Sequence, residues 1–136
     1  MKKVSLTALL LALLFIAQAH VPGGGPGARS ADMEPLKQGG YVRRFTEDGL
    51  AKKAFYNKRG KWQCTVAGYT ESKMPTPVRR VVLTSYYDYK ILYVHEITMA
   101  GKATVYQVQV RYGHIIKILR VADEQVEEIR ELEATD

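Results

Sequence analysis

The chain has 136 residues, 46% of them hydrophobic, and a formal net charge of +6 at pH 7. This length holds one domain with one modest core and excludes a multidomain protein. The single cysteine, Cys64, excludes an internal disulfide, and its place in a strand-like run predicts a small buried side chain.

The first 19 residues have the pattern of a secretory signal peptide. Lys2 and Lys3 form a positive n-region, residues 6–16 are apolar apart from one threonine, and residues 17–19 (Ala-Gln-Ala) suit a signal peptidase. We predict cleavage between Ala19 and His20 and a periplasmic or secreted protein. A retained membrane anchor is the alternative, but the apolar run is shorter than the about 20 residues that span a bilayer.

Residues 20–40 are rich in glycine and proline and predict a flexible tether. Short runs of β-branched and aromatic residues follow, separated by turn signals. They predict three strands, at Tyr41–Thr46, Leu50–Asn57 and Lys61–Tyr69. In the third run the period of two places Trp62 on the buried face, together with Cys64 and Val66.

The pattern then changes to a helical period. Apolar or small residues recur at helical spacing on one face, at Val78, Val81, Val82, Ser85 and Tyr86. Thr76 is the predicted N-cap, and Pro75 and Pro77 fit only in or before the first turn. Arg79 and Arg80 lie near the positive end of the helix dipole, which hints at a role other than helix stability.

Three more strands are predicted after the helix, at Lys90–Thr98, Ala103–Tyr112 and His114–Val121. The order β-β-β-α-β-β-β predicts an α+β domain at residues 41–122. We expect an antiparallel sheet of about six strands with one main helix packed on one face.

Residues 123–136 form an acidic C-terminal tail, because residues 122–136 hold seven acidic residues against one basic residue. Val126, Ile129 and Leu132 recur every three residues, which favours a short helix, with an edge strand as the alternative. The basic body of the domain would meet an acidic partner or an anionic envelope surface, unless the tail neutralises it.

Residues for catalysis are scarce. His20, His95 and His114 are scattered without metal-ligand spacing, and no G-x-S-x-G motif occurs. We therefore predict a protein that is not an enzyme and that has no cofactor and no metal. Export makes nucleic acid an unlikely partner, and after signal cleavage no transmembrane segment is predicted.

Tyrosine is conspicuous, with nine residues in the chain. Aromatic residues with a polar tip are favoured at interfaces. Periodicity assigns Tyr86, Tyr106 and Tyr112 to the core and leaves other tyrosines free. The predicted partner-binding residues are these free tyrosines and the two helix arginines, namely Tyr69, Arg79, Arg80, Tyr87 and Tyr89.

From about Tyr41 onward the sequence resembles the PepSY-like, β-lactamase-inhibitor-protein-like (BLIP-like) family of small exported bacterial proteins. The residues that carry the resemblance are Trp62, Met74-Pro75, Val78, Val82, Tyr86, Lys90-Ile91, Val94, Glu96-Ile97, Tyr106-x-Val108-x-Val110 and Lys117-x-Leu119-x-Val121. The chain departs from the family at both ends: the tether replaces an additional helix, and Asp123-Glu124 replaces an Asp-Gly turn.

The resemblance implies an exported binding or inhibitory module without a cofactor. Our leading hypothesis is a module that recognises another envelope protein or peptide through the sheet face opposite the helix or through loops. The alternative is a periplasmic small-ligand-binding or sensor domain with a pocket between helix and sheet. Filling of that interface by Val78, Val82, Tyr86 and Trp62 would count against the alternative.

Overall fold

The computed structural model describes residues 33–135. The predicted signal peptide, its cleavage site and residues 20–32 of the predicted tether lie outside the described residues. Within them, no helix is both long and apolar enough to span a membrane.

Residues 33–135 form one antiparallel sheet of eight strands whose spatial order is the order in the chain. Each strand therefore pairs only with its neighbours in sequence. The strands are β1 (Glu34–Pro35), β2 (Tyr41–Glu47), β3 (Leu50–Tyr56), β4 (Trp62–Tyr69), β5 (Lys90–Met99), β6 (Val105–Tyr112), β7 (Ile115–Ala122) and β8 (Gln125–Glu133). Between β4 and β5 the chain forms a 3-10 turn (Glu71–Lys73) and one helix, α1 (Thr76–Ser85).

Two-residue turns with left-handed backbone close several of the hairpins. Asp48 and Gly49 join β2 to β3 with φ values of 53° and 75°, and Asp123 and Glu124 join β7 to β8 with φ values of 50° and 62°. Positive φ at both central residues is the type I′ arrangement, whose twist matches that of the flanking strands. The second turn achieves this without a glycine, so Glu124 has a conformation that side chains disfavour.

The core consists of two clusters on opposite faces of the sheet. The first contains residues of β4 to β7, including Val94, Val108 and Leu119, together with Val82 of α1. The second contains residues of β2 to β5, including Val42, Phe55 and Ile97. We call the sheet face that carries the first cluster the helix face, and the opposite one the far face. Strand β4 contributes to both clusters, so it has buried side chains on both of its faces.

The N-cap of helix α1 lies one residue earlier than predicted. Pro75, not Thr76, occupies the N-cap position, and no side chain caps the helix. Pro77 lies in the first turn, where its missing N–H removes no intrahelical hydrogen bond. Val82 is fully buried, and Val78 and Tyr86 pack against the same cluster. The underside of the helix is therefore filled by its own apolar face.

The predicted α+β architecture, about six strands with one main helix, is wrong. The six predicted strand segments coincide with β2 to β7, but eight strands make 57% of the described residues β structure, against one helix of 10 residues. Strand β1 was missed because it is only two residues long and lies in the Gly/Pro-rich stretch. The sheet therefore includes one strand before and one strand after the predicted domain at residues 41–122.

For residues 123–132 a short helix was favoured, with an edge strand as the alternative. The alternative is confirmed, since Gln125–Glu133 form edge strand β8. Its register shifts where Ile118 and Leu119 of β7 pair with Arg130 and Glu128, so Ile129 is an extra residue in β8. Such a bulge interrupts the period of two. The interrupted alternation produced the spacing of three that imitated a helix.

A second bulge explains the position of Trp62. Tyr56 pairs with Trp62 while Phe55 pairs with Cys64, so Gln63 is the extra residue and Trp62 changes to the other side of the sheet from Cys64. There its indole Nε1 donates a hydrogen bond of 2.9 Å to Thr65 Oγ1. The prediction that Trp62 shares the face of Cys64 is thus wrong. Cys64 itself is buried as predicted, and burial raises the pKa of its thiol to about 11.

Candidate functional site

The first predicted binding residue, Tyr69, lies in the core. Its side chain is 5% exposed, and its hydroxyl donates a hydrogen bond of 2.8 Å to Glu96 Oε1. Burial raises the pKa of Tyr69, and the hydrogen bond to the Glu96 carboxylate raises it further. The expectation that Tyr69 is a free surface residue is wrong, because Tyr69 lies on the helix face and belongs to the first core cluster with Met74 and Val82.

Arg79 and Arg80 lie on the outer side of α1. Arg79 Nε donates to Glu71 Oε1 at 2.8 Å, which explains how a cation is accommodated near the N-terminus of this helix. An open groove of about 300 Å³ runs along this side, and its lining residues are Thr76, Arg79, Arg80, Leu83 and Thr84. All of them belong to α1, so this groove is a feature of the helix surface and lies away from the helix–sheet interface.

Tyr87 and Tyr89 follow the helix and have different surroundings. The side chain of Tyr87 is 81% exposed. Tyr89 is half-buried among aromatic neighbours, with ring centroids 5.4 Å from Tyr86 and 5.6 Å from Tyr112. We call Tyr86, Tyr89 and Tyr112 the tyrosine cluster. Its outer member Tyr112 is 53% exposed, so the cluster and Tyr87 present aromatic surface at one end of the sheet.

Lys117 of β7 holds this cluster in place. Its Nζ lies 5.8 Å from the ring centroids of both Tyr86 and Tyr89, which is cation–π range. The same ammonium forms ion pairs with Glu128 and, at 3.5 Å, with Glu131 on β8. The hydrogen bond to Glu128 raises the pKa of Lys117. The tyrosine cluster therefore rests on a charged network that links it to the edge strand.

The far face carries a second group of polar residues. The strand register places His95 beside Gln107, and Gln107 beside Arg120, across β5, β6 and β7. These residues alternate with Val94, Val108 and Leu119 of the first core cluster, so they point away from α1. The far face thus presents a polar row in the middle of the sheet.

Basic residues of β2 and β3 adjoin this row. Burial and the charge of Arg44 lower the pKa of Lys53. Burial and the charge of Lys53 in turn lower the pKa of His95. These effects show that the positive groups lie close enough to repel one another. We call Lys53, His95, Gln107 and Arg120 the basic sheet row.

Tyr93 forms one side of this row. Its ring lies 5.1 Å from the His95 ring in an edge-on arrangement. It also lies across Gly68 of β4, where a Cβ atom would come within 2.5 Å of Tyr93 Oη. The glycine therefore provides the space for Tyr93 to lie flat against the sheet beside His95.

The sequence does contain a signal for part of the basic sheet row. Alternation in β6 places Gln107, Gln109 and Arg111 on one face, and hairpin pairing across the two-residue turn places Arg120 of β7 opposite Gln107. His95 was set aside as scattered because its neighbours come from other strands. Among residues 33–135, no three His, Cys, Asp or Glu side chains are grouped as metal ligands would be.

Comparison with solved structures gives neighbours from Bacteroides. A BLIP-like protein from Bacteroides fragilis matches with a TM-score of 0.57 and 18% identity, over 88% of this chain and 92% of that one. A DUF2874 family protein from Bacteroides ovatus matches with a TM-score of 0.60 and 16% identity, over 76% and 78%. A protein assigned to the periplasm of Bacteroides eggerthii matches with a TM-score of 0.59 and 15% identity, over 76% and 77%.

These neighbours show that the fold is BLIP-like, and at such identities the likeness concerns the fold alone. The BLIP-like part of the resemblance stated from the sequence is therefore confirmed for the fold, whereas the PepSY-like part has no support among these structures. No protein-family model matches the sequence, and no curated protein matches it.

Proposed function

We propose that the chain is an exported, non-catalytic binding or inhibitor-like module that recognises another envelope protein or peptide. The observation that carries the proposal is the aromatic surface formed by Tyr87 and the tyrosine cluster. Tyr87 and Tyr112 expose much of their rings, while Lys117 and its ion pairs fix the cluster from beneath. Tyrosines held in place lose little entropy when a partner covers them, which favours their use at interfaces.

Export and location rest on two supports. The first 19 residues have the signal-peptide pattern, and one structural neighbour is assigned to the periplasm. We therefore place the protein in the periplasm or outside the cell. Its partner in this proposal is an envelope or extracellular protein or peptide, bound without a cofactor.

A protein partner is favoured over a small ligand held between helix and sheet. Val82 is fully buried there, and Val78 and Tyr86 pack against the same cluster, although Trp62 is not part of it. The groove beside Arg79 and Arg80 lies on the outer side of the helix and is open along its length. Small-ligand sites generally enclose most of the ligand surface, and this groove does not.

The proposal is tested by affinity capture from an envelope extract followed by mass spectrometry. The wild-type protein is compared with Tyr87→Ala and Tyr112→Ala, which remove exposed aromatic area. Gln63→Ala is the control. Gln63 is exposed at the start of β4, at the end of the sheet opposite to the tyrosines. We expect one specific protein that is captured by wild type and Gln63→Ala and is at least fivefold depleted with either tyrosine variant. Equal recovery with all four proteins would contradict the proposal.

A further inference from the structure

The basic sheet row has unsatisfied polar atoms at its centre. Within the described part of the chain, Gln107 Oε1 and Arg120 Nε are buried from solvent and have no hydrogen-bond partner. They lie on directly paired residues of β6 and β7. One is an acceptor and the other is a donor, so a complementary ligand must offer both kinds of group. A buried polar atom without a partner is destabilising, and a ligand removes that cost when the two side chains turn toward it.

The charge around these atoms is predominantly positive. Lys53 and Arg120 contribute full charges, and Arg44 lies close enough to Lys53 to lower its pKa. The acid nearest in register is Glu127, which pairs with Arg120 across β7 and β8. No ion pair joins these two side chains in residues 33–135, where the carboxylates of Glu128 and Glu131 are bound to Lys117. The far face therefore has an excess of positive charge at its middle.

The spread of these groups over β3 to β7 favours a peptide over a compact inorganic anion. A carboxylate accepts hydrogen bonds from the guanidinium of Arg120 and from the ammonium of Lys53, but it has no hydrogen to donate to Gln107 Oε1. A peptide with an acidic side chain supplies the carboxylate and also a backbone N–H. Tyr93, fixed by its contacts with His95 and Gly68, adds an aromatic wall on which an apolar side chain can pack.

The length of the basic sheet row agrees with that of a short extended peptide segment. Four inter-strand spacings of about 4.8 Å separate β3 from β7, so Lys53 and Arg120 are about 19 Å apart across the strands. An extended chain advances about 3.3 Å per residue. About six residues therefore cross the whole row.

We propose that the basic sheet row binds an acidic segment of the partner protein, with Asp or Glu carboxylates on Lys53 and Arg120 and a backbone N–H on Gln107. This inference rests on the proposed function, since it specifies the chemistry of the partner for such a module. The site is separate from the tyrosine surface, so the two can be tested independently.

Fluorescence anisotropy with labelled hexapeptides tests the proposal at low ionic strength. The probes are Glu-Thr-Glu-Thr-Glu-Thr and the matched peptides in which Gln or Lys replaces Glu. We expect the Glu peptide to bind at least tenfold more tightly than the Gln peptide, and the Lys peptide to show no binding. Lys53→Gln, Arg120→Gln and Gln107→Leu should each weaken the Glu peptide at least fivefold.

The control variant is Lys102→Gln, which removes the same unit of charge from the exposed turn between β5 and β6. It should change binding less than twofold, and circular dichroism should show all variants folded. An equal loss with Lys102→Gln and Lys53→Gln would overturn the proposal, since net charge alone would then explain binding. Equal binding of the Glu and Gln peptides would also overturn it, as would unchanged binding by Gln107→Leu.

Three further outcomes separate this inference from its alternatives. If the occupant is the acidic β8 of a second copy, sedimentation will show a dimer that Lys53→Gln dissociates, which overturns the choice of a foreign partner. If the Glu peptide fails to bind while capture still depends on Tyr87, this inference fails and the proposed function stands. If the peptide binds but no protein is captured in a Tyr87-dependent way, the proposed role of the tyrosine surface is wrong. The preference of the basic sheet row for acidic peptides then stands.

Discussion

Tyr93 Oη lies only 2.5 Å from the position that a Cβ atom on Gly68 would take. A methyl group at residue 68 must displace the tyrosine ring from the sheet and from its edge-on contact with His95. The displaced atom is the far end of a side chain that can rotate, so the fold should survive the change.

We expect Gly68→Ala to lower the free energy of unfolding by about 1 kcal/mol, as mild overpacking does. In a Tyr93→Ala background the same change should be neutral or stabilising, because the clash is gone and alanine is less flexible than glycine in the unfolded chain. Urea denaturation of the four proteins in this double-mutant cycle measures the coupling. Additive effects would show that Tyr93 does not lie on Gly68 in solution.

The hydrogen bond between Tyr69 and Glu96 should stabilise the fold. Tyr69→Phe leaves the Glu96 carboxylate without its donor in a partly buried place, so we expect a loss of about 1–3 kcal/mol. Tyr87→Phe removes a hydroxyl from an exposed ring and should change the free energy of unfolding by less than about 0.5 kcal/mol. Urea denaturation at pH 7 measures both, and similar losses for the two variants would contradict the assignment.

The burial of Tyr69, together with its hydrogen bond to Glu96, predicts a pH dependence of stability at the alkaline end. The pKa of Tyr69 is raised in the folded state above the 10.0 of a free tyrosine. The folded protein therefore holds the phenolic proton more tightly, so this stabilisation is fully present below pH 10 and is lost as the pH rises above it. Wild type should lose stability more steeply than Tyr69→Phe between pH 9.5 and 11. Parallel curves for the two proteins would count against the raised pKa.

His95 should titrate below its ordinary pKa of 6.5, because burial and the charge of Lys53 both disfavour the imidazolium. Its contribution to stability is therefore present above pH 6.5 and is lost as the pH falls, since the unfolded chain takes up the proton more readily. Nuclear magnetic resonance of the His95 ring measures this pKa directly. Lys53→Gln should raise it, whereas Lys102→Gln should leave it unchanged.

The turn between β7 and β8 offers a stabilising substitution. Glu124 has φ of 62°, which costs a side chain about 1 kcal/mol relative to glycine. Glu124→Gly should therefore raise the free energy of unfolding by about 0.5–1 kcal/mol. Gln125→Gly is the matched control at the first residue of β8, where ordinary strand backbone makes glycine destabilising. Thermal melts compare them, and equal effects at both positions would show that the turn is not left-handed.

Much of the sheet was predictable because alternation and turn residues are local signals. The strand from Val105 to Tyr112 was read correctly as a half-buried strand, with Val108 and Val110 in the core and Gln107 opposite. Alternation fails where a bulge adds one residue, as at Gln63 and Ile129. A bulge is set by the pairing of two strands, and a sequence pattern within one strand does not report it.

The candidate sites were predictable only in part, for a related reason. Tyr87 was correctly left outside the core, because a residue beyond the end of a helical face has little to bury it. Tyr69 was misplaced because its burial depends on the packing of the connection between β4 and β5, including Met74 and Val82, on the helix face. His95, Gln107 and Arg120 come together only through the register of three strands. Their proximity arises from the pairing of strands that are separate in sequence, so no local sequence pattern predicts it.

The sequential strand order also has a consequence for the folding pathway. A connection of two residues joins strands β2 and β3, whereas the 20 residues from Thr70 to Tyr89 join β4 and β5. A tenfold longer connection adds about 2 kcal/mol of loop-closure entropy. Val82 of α1 lies inside that connection and is buried only when the two strands meet. We therefore expect the docking of two separately formed groups of hairpins, with the helix between them, to limit the folding rate.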